Sequence, residues 1–506
     1  MGESEPTDEQ LRRYAARRDV WIPANERDRE AACARAVLGF LEPLTELDVP
    51  AVPLRHSRRD PGRPPTTEED PYNALIRTCE VAGADRGPLA GMRIAVKDNI
   101  AVAGVPMTNG SRSSPPVVPS EDAVVVERLL DAGATIVAKA NISTPDTEFG
   151  TTCNPRNPRF LAGASSSGSA AAVAGGLADG ALGADQGGSI RNPAAWCGIV
   201  GMKATHGLVP TYGLTYWDHT LDHIGPMTRT VAENAAMLEV MAGDDWRDAQ
   251  SAQARPVAGA YTDAAERGIE GLRIGVAAEA VERAGCTAGT LAAFERACDQ
   301  LRALGAELVP VSVPLWEQAP IIWFAVAMCG VTAMAESLGQ GHGHLARIDP
   351  DRVAQAAAHQ RDHGLEILSL AFRTRSLPLV VEHLRDGTYL AGAQNLRLEL
   401  RRQLDAVLHE VDVVITPTTP TGPVAIDRPR ADDEDLDGAL AAFARSMTTT
   451  CPLNLTGHPA LTVPSGPADD DLPTGLQICG ARFGDRTLYR VGFAFEAEQD
   501  ALVGGA

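Results

Sequence analysis

The chain has no run of basic residues longer than two, and its 45 Lys and Arg stand against 66 Asp and Glu, a formal charge of −21 over 506 residues. An acidic surface of that kind repels phosphate groups, which argues against nucleic acid and against an anionic membrane as partners. No Cys-x-x-Cys pair occurs among the nine cysteines, and an odd number leaves one over in any disulfide scheme. A reducing cytoplasm is therefore the expected setting. A secretory signal is lacking too: MGESEPTDEQLRRY is polar and acidic where a signal needs a basic start and an apolar run, and Pro6 spoils the Gly2 acylation pattern. The mostly apolar stretch from Ala319 to Ala335 is 17 residues long and contains Pro320, so a buried helix is expected there rather than a membrane span. G-x-S-x-G, HExxH and Walker-type glycine motifs are also missing. Their absence removes the nucleophile-elbow hydrolases, the zinc peptidases and the phosphate-loop enzymes from consideration.

What is present is an alternation. Residues 1–85 combine charged helical patterns with a Pro/Arg-rich stretch, DPGRPPTTEEDP, and read as a small helical N-terminal extension followed by a linker. From residue 86 to 506, strand-like runs such as MRIAV, TIVAKAN, LRIGVAAE, VDVVITPT and GLQICGAR alternate with helical ones such as DAVVVERLLDAG and TLAAFERACDQLRALGA. That order predicts one large α/β domain with a mostly parallel or mixed sheet, covered by helices on both faces.

Three segments carry chemistry. In GADQGGSIRNPAAWCG (183–198), two glycines precede Ser189, freeing the backbone so that the N–H groups of Gln186, Gly187, Gly188 and Ser189 can converge as an oxyanion hole. A tight glycine turn between strand and helix is the plainer alternative. GASSSGSAAAV (163–173) offers several hydroxyls, and by itself reads first as a linker or helix cap. RIAVKDNI (93–100) ends an apolar strand on Lys97, which by itself reads first as a salt bridge to Asp98. Together they supply a serine that has no histidine in its segment, with a substitute base: a neutral, desolvated lysine relaying through a second serine.

The same segments, with DHIGPMTRTV and NLTGHPALTVPSG in this order, resemble the amidase signature hydrolases from about Gly91 to Phe495. The resemblance implies a large mixed twisted β-sheet flanked by α-helices and a triad of Lys97, a bridging Ser165 in a cis peptide, and the nucleophile Ser189. The family's spacing selects Ser165 over Ser166 and Ser167. The resemblance further implies an oxyanion hole at Gln186, Gly187, Gly188 and Ser189, with Asp185 and Arg191 as structural support. Gln186 in place of a common threonine, together with the N-terminal extension, looks most like bacterial amidases that accompany nitrile hydratases, in which such an extension often supports a homodimer. The usual Gly-Gly-Ser-Ser-Gly-Gly-Ser loop here carries Ala164 and Ser167 where glycines are usual, which bears on the breadth of substrates accepted.

The expected reaction is hydrolysis of a small-molecule carboxamide through an acyl-enzyme, without metal or organic cofactor. Its rivals are an amidotransferase component that passes on ammonia from glutamine, an amide-forming acyl transferase, and a non-catalytic scaffold. Gln186 and the extension are read against the amidotransferase. His342 and His344 in GQGHGH lack a third ligand at useful spacing and read as a glycine loop. The acidic loops 428–438 and 467–473 read as solvated turns. Trp323 and Phe324 are candidate linings of an acyl pocket, with helix core the alternative.

Overall fold

The protein is described from a computed structural model, in residues 26–47, 50–110, 116–143, 149–254, 260–336, 345–349, 353–355, 357–358, 388–426 and 444–504. The chain divides into two compact units, Met1–Pro53 and Leu54–Ala506. In the first, helix α1 (Arg27–Leu41) runs into a 3-10 turn at Glu42–Glu46, with Pro43 placed where its missing N–H costs nothing.

The second unit is built on a twelve-stranded mixed sheet. Its strands begin with β1 (Arg59–Arg63), β2 (Leu75–Ala82), β3 (Arg93–Lys97) and β4 (Thr135–Ala140), after which β5 (Cys153–Asn154) and β6 (Asn157–Leu161) form a separate hairpin. The sheet continues with β7 (Gly180–Asp185), β8 (Val200–Lys203), β9 (His223–Thr228), β10 (Arg273–Ala277), β11 (Glu307–Val311), β12 (Val413–Pro417), β13 (Ala460–Pro467) and β14 (Pro473–Cys479). The spatial order is β1-β2-β4-β3-β7-β9-β8-β13-β14-β12-β10-β11. β3 is parallel to β4 and β7, β10 is parallel to β11 and β12, and the remaining neighbours are antiparallel.

Two of these strands overturn the expected linker. Residues 54–82 belong with the sheet, because LIRTCEVA places Ile76, Cys79 and Val81 inward, while Arg59 forms an ion pair with Asp122. Pro61 sits in β1, the outermost strand, where a missing donor is tolerated. The unit boundary therefore falls at residue 53 rather than 85.

Around the sheet lie α2 (Val124–Asp131), α3 (Ser167–Ala174), α4 (Arg191–Cys197), α5 (Val231–Met241), α6 (Ala278–Glu282), α7 (Ala288–Ala303), α8 (Ala319–Glu336), α9 (Thr388–Leu408), α10 (Cys451–Thr456) and α11 (Asp485–Gly504). Small residues let α3 lie close to its neighbours: Ala170, Ala171 and Ala172 are fully buried, and a Cβ on Gly168 would sit 2.3 Å from the Ala74 carbonyl oxygen. The apolar stretch near 319–335 forms α8, which buries Ile322, Trp323, Val326 and Ala327. Among the described residues no helix is long and apolar enough to cross a membrane.

Parallel pairing of β3 with β7 decides where the chemistry sits. Val96 registers with Leu182, so Lys97 and Asp185 leave the sheet at the same edge, and the chain reaches Ser189 four residues after β7 ends. Strand carboxyl ends of this kind are where open α/β sheets gather reactive side chains.

Candidate active site

Lys97 is buried, with Nζ 2.8 Å from Ser165 Oγ and donating to the Ala184 carbonyl at 3.0 Å. Burial pushes its ammonium down to about 7, against the opposing pull of Asp185 and Asp222. The salt bridge to Asp98 does not form. Asp98 lies 3.7 Å from Lys139 and accepts from the backbone and hydroxyl of Thr108.

Ser165 differs from its neighbouring serines in geometry. The peptide bond Ala164–Ser165 is cis. Ser166, Ser167 and Ser169 are fully buried and engaged elsewhere: Ser166 Oγ donates to Ala184 O, Ser167 Oγ accepts from Ser143 N, and Ser169 Oγ donates to Leu182 O. Ser166 N–H also donates to Ser189 O at 3.2 Å, holding the two serine segments side by side. Among the described residues the side-chain hydrogen bonds stop at Ser165 Oγ and do not reach Ser189 Oγ.

The loop that carries Ser189 is held by a saturated ion pair. Arg191 uses five donor contacts: two to the Asp185 carboxylate at 3.0 Å each, two to Asn454 Oδ1 and Gln477 Oε1 at 2.6 and 2.8 Å, and one to Thr450 O at 2.9 Å. Burial raises the Asp185 carboxyl, but Arg191 outweighs it and holds the group well below the usual carboxylate range. The same carboxylate accepts from Gly188 N–H at 2.7 Å and Ile190 N–H at 3.1 Å. The Gly188 N–H, expected among the oxyanion donors, points here at the loop's own brace. The backbone N–H groups of Gln186, Gly187 and Ser189 remain without a partner among the described residues. Gly188 itself needs to be glycine, with φ at +133° and a would-be Cβ 2.3 Å from Thr450 Oγ1.

Trp323 is 2% exposed, and its indole Nε1–H donates to Gln186 O at 2.6 Å. Through this bond it holds the loop that carries Ser189. Phe324 is partly buried against the same cluster of side chains. Sequence reasoning missed Thr450, Asn454 and Gln477, although Asn454 opens the quoted NLTGHP motif. It also missed Asp222 in DHIGP, whose buried carboxyl is raised well above its ordinary range although it accepts from Trp217 N–H. Among the described residues no group of three or more His, Cys, Asp or Glu side chains is placed to hold a metal. His342, His344 and the loop 428–438 lie outside those residues.

The family is settled by comparison with known proteins. A family model described as Amidase matches residues 73–489. The chain belongs to the amidase signature family. It is 38% identical over 445 residues to the A subunit of the glutamyl-tRNA(Gln) amidotransferase of Haloarcula marismortui, covering 84% of this chain and 99% of that one. Among solved structures it resembles the A subunit of the Thermotoga maritima glutamyl-tRNA(Gln) amidotransferase, with a TM-score of 0.69, 29% identity, and 85% and 88% of the two chains covered. It also resembles the native peptide amidase of Stenotrophomonas maltophilia, with a TM-score of 0.62, 28% identity, and 84% and 89% covered. The relatives matched in sequence are amidotransferase subunits, not amidases that accompany nitrile hydratases, which corrects the finer resemblance. Residue 186 was a weak guide to the branch, and its side chain is buried.

Proposed function

We propose that this enzyme cleaves an amide C–N bond through an acyl-enzyme on Ser189. Neutral Lys97 draws a proton through Ser165 from Ser189, whose Oγ attacks the amide carbonyl. The resulting oxyanion is received by the N–H groups of Gln186, Gly187 and Ser189, and the leaving amine takes a proton back along the relay. Water then releases the acid. The observation that carries this reading is the buried Lys97 amine 2.8 Å from Ser165 Oγ, with its ammonium lowered to about 7. Ser189 Oγ joins the relay when substrate is bound, as catalytic hydrogen bonds often tighten only in the complex.

Of the finer readings, the likeness to the A subunits of amidotransferases favours glutamine as the amide and partner subunits that use the ammonia. The likeness to peptide amidase favours a free-standing hydrolase of small amides. Ammonia release from glutamine, measured with the purified chain alone and with the remaining subunits of a glutamyl-tRNA(Gln) amidotransferase, separates the two. Stimulation by the subunits supports the first reading. Turnover of aryl or peptide amides by the chain alone, with no glutaminase activity in either case, supports the second. Replacement of water by an added amine as acyl acceptor would mark an amide-forming transferase. No covalent labelling of Ser189 by an alkyl fluorophosphonate would overturn catalysis altogether.

A further inference from the structure

Three consecutive peptide groups ahead of Ser189 have their carbonyls pinned by side chains from two distant places in the chain, α8 and the start of α10. Asp185 O accepts from Asn454 Nδ2 at 3.1 Å, Gln186 O from the Trp323 indole at 2.6 Å, and Gly187 O from Thr450 Oγ1 at 2.6 Å. In a trans peptide the C=O of one residue and the N–H of the next point in opposite directions. Fixing each carbonyl therefore fixes the direction of the following N–H: Asn454 sets that of Gln186, Trp323 that of Gly187, and Thr450 that of Gly188. The third is accounted for, since Gly188 N–H ends on Asp185 Oδ1 at 2.7 Å. The first two are the open donors.

We propose, on the reading that Ser189 is the nucleophile, that Trp323 is a positioning residue that aims the oxyanion hole through the Gln186 carbonyl. Asn454 and Thr450 set the peptides on either side. Trp323 comes from α8, a helix with no catalytic motif, and its ring lies so near the loop that a Cβ on Gly187 would stand 3.0 Å from it. The close approach and the indole bond act together: glycine at 187 admits the ring, and the ring holds the peptide. An oxyanion donor works only when it is aimed before charge develops, so a peptide free to rock loses much of its effect without any change in the relay.

The test uses the full chain and an alkyl fluorophosphonate, whose phosphorus bonds to Ser189 Oγ as fluoride leaves and the hydroxyl proton passes to Lys97. The second-order inactivation rate is followed from pH 5.5 to 9, with the labelled peptide identified by mass spectrometry. Trp323→Phe keeps an aromatic ring on α8 and removes the indole donor. Its plateau rate is expected to fall about 10- to 100-fold, less than or comparable to the loss of a donor itself, with the midpoint of the pH profile where the wild type has it. A wild-type plateau overturns the proposal, and so does a shifted midpoint, which would mean that Trp323 acts on the relay. Should Trp323→Phe fail to fold, the Thr450 pair decides: Thr450→Ser, which keeps the hydroxyl, should react like wild type, and Thr450→Val should be slower by roughly 10-fold. Equal rates in the pair would count against pinned carbonyls. An unlabelled wild type sinks the Ser189 reading itself, and is told apart by the absence of any modified peptide.

Discussion

Two lysines in this enzyme are equally buried and equally driven toward the neutral amine, yet only one is placed to act. Lys97, at the end of β3, and Lys203, at the end of β8, are both pushed down to about 7 by burial. Lys97 meets a hydroxyl, Ser165 Oγ, that leads toward the nucleophile loop. Lys203 meets the carbonyls of His458 and Ala204 and the ring of His223, 3.4 Å away, none of which opens a path to Ser189. Desolvation leaves a lysine free to accept a proton near neutrality, and the neighbouring group decides whether that capacity is used.

The sharpest way to break the comparison is to delete each amine. Lys97→Met, Ser165→Ala and Ser189→Ala should each lower amide turnover by several orders of magnitude, because the three act as one unit. Lys203→Met should leave turnover within about 10-fold of wild type, since it removes no relay member. A folded Lys97→Met protein with full activity would contradict the mechanism, and a collapse in Lys203→Met would show that the second lysine belongs to it.

Stability offers the next largest contrast. Arg191→Met would leave Asp185 buried without its counter-charge, and denaturant unfolding should show a loss of about 3–5 kcal/mol. A loss below about 1 kcal/mol would mean that Asn454 and the loop N–H groups suffice to hold the carboxylate.

The pH profile sharpens the comparison further. Only the neutral amine accepts a proton, so kcat/KM should climb about tenfold per pH unit below the Lys97 midpoint and flatten above it, the midpoint lying at about 7. Lys203 titrates in the same range, so the limb must persist in Lys203→Met. His206 is no competitor, since burial lowers it to about 4. Disappearance of the limb in His206→Asn rather than in Lys97→Met would reassign the base.

The smallest effect separates Lys203 from the solvent. Its folded value is depressed from an ordinary 10.5 to about 7, so unfolding takes up a proton between those values and stability rises with pH across that window. In Lys203→Met the slope of unfolding free energy against pH should be smaller by about 1.4 kcal/mol per unit. An unchanged slope between pH 8 and 10 would show that Lys203 is already charged when folded.

Legibility in the sequence followed the length scale of each feature. Lys97, Ser165 and Ser189 stood out as candidates through the combination of three short segments and their likeness to a family, whose spacing singled out Ser165; alone, the first two segments read as a salt bridge and a linker. The alternation of strands and helices likewise carried the α/β fold. What escaped notice depends on contacts over long separations. The partners of Arg191 at Thr450, Asn454 and Gln477 lie 259 to 286 residues away. The placement of Trp323 beneath residue 186 leaves no periodic trace beyond that of any core helix. The contact of the Gly188 N–H with Asp185 was not foreseen, because a glycine backbone suits an oxyanion hole and a carboxylate brace equally well. Residues 54–82 looked like linker because proline and arginine dominate β1, which an edge strand permits.

The order of strands in the sheet has a consequence for how the enzyme comes to life. β13 and β14 lie between β8 and β12, and α10 just before them supplies Asn454 to the brace. A growing chain therefore displays Lys97, Ser165 and Ser189 early, yet the groups that fix the loop around Ser189 arrive only with Thr450, Asn454 and Gln477. Until about the last ninth of these 506 residues has been made and has inserted into the middle of the sheet, the loop that carries Ser189 lacks the side chains that brace it.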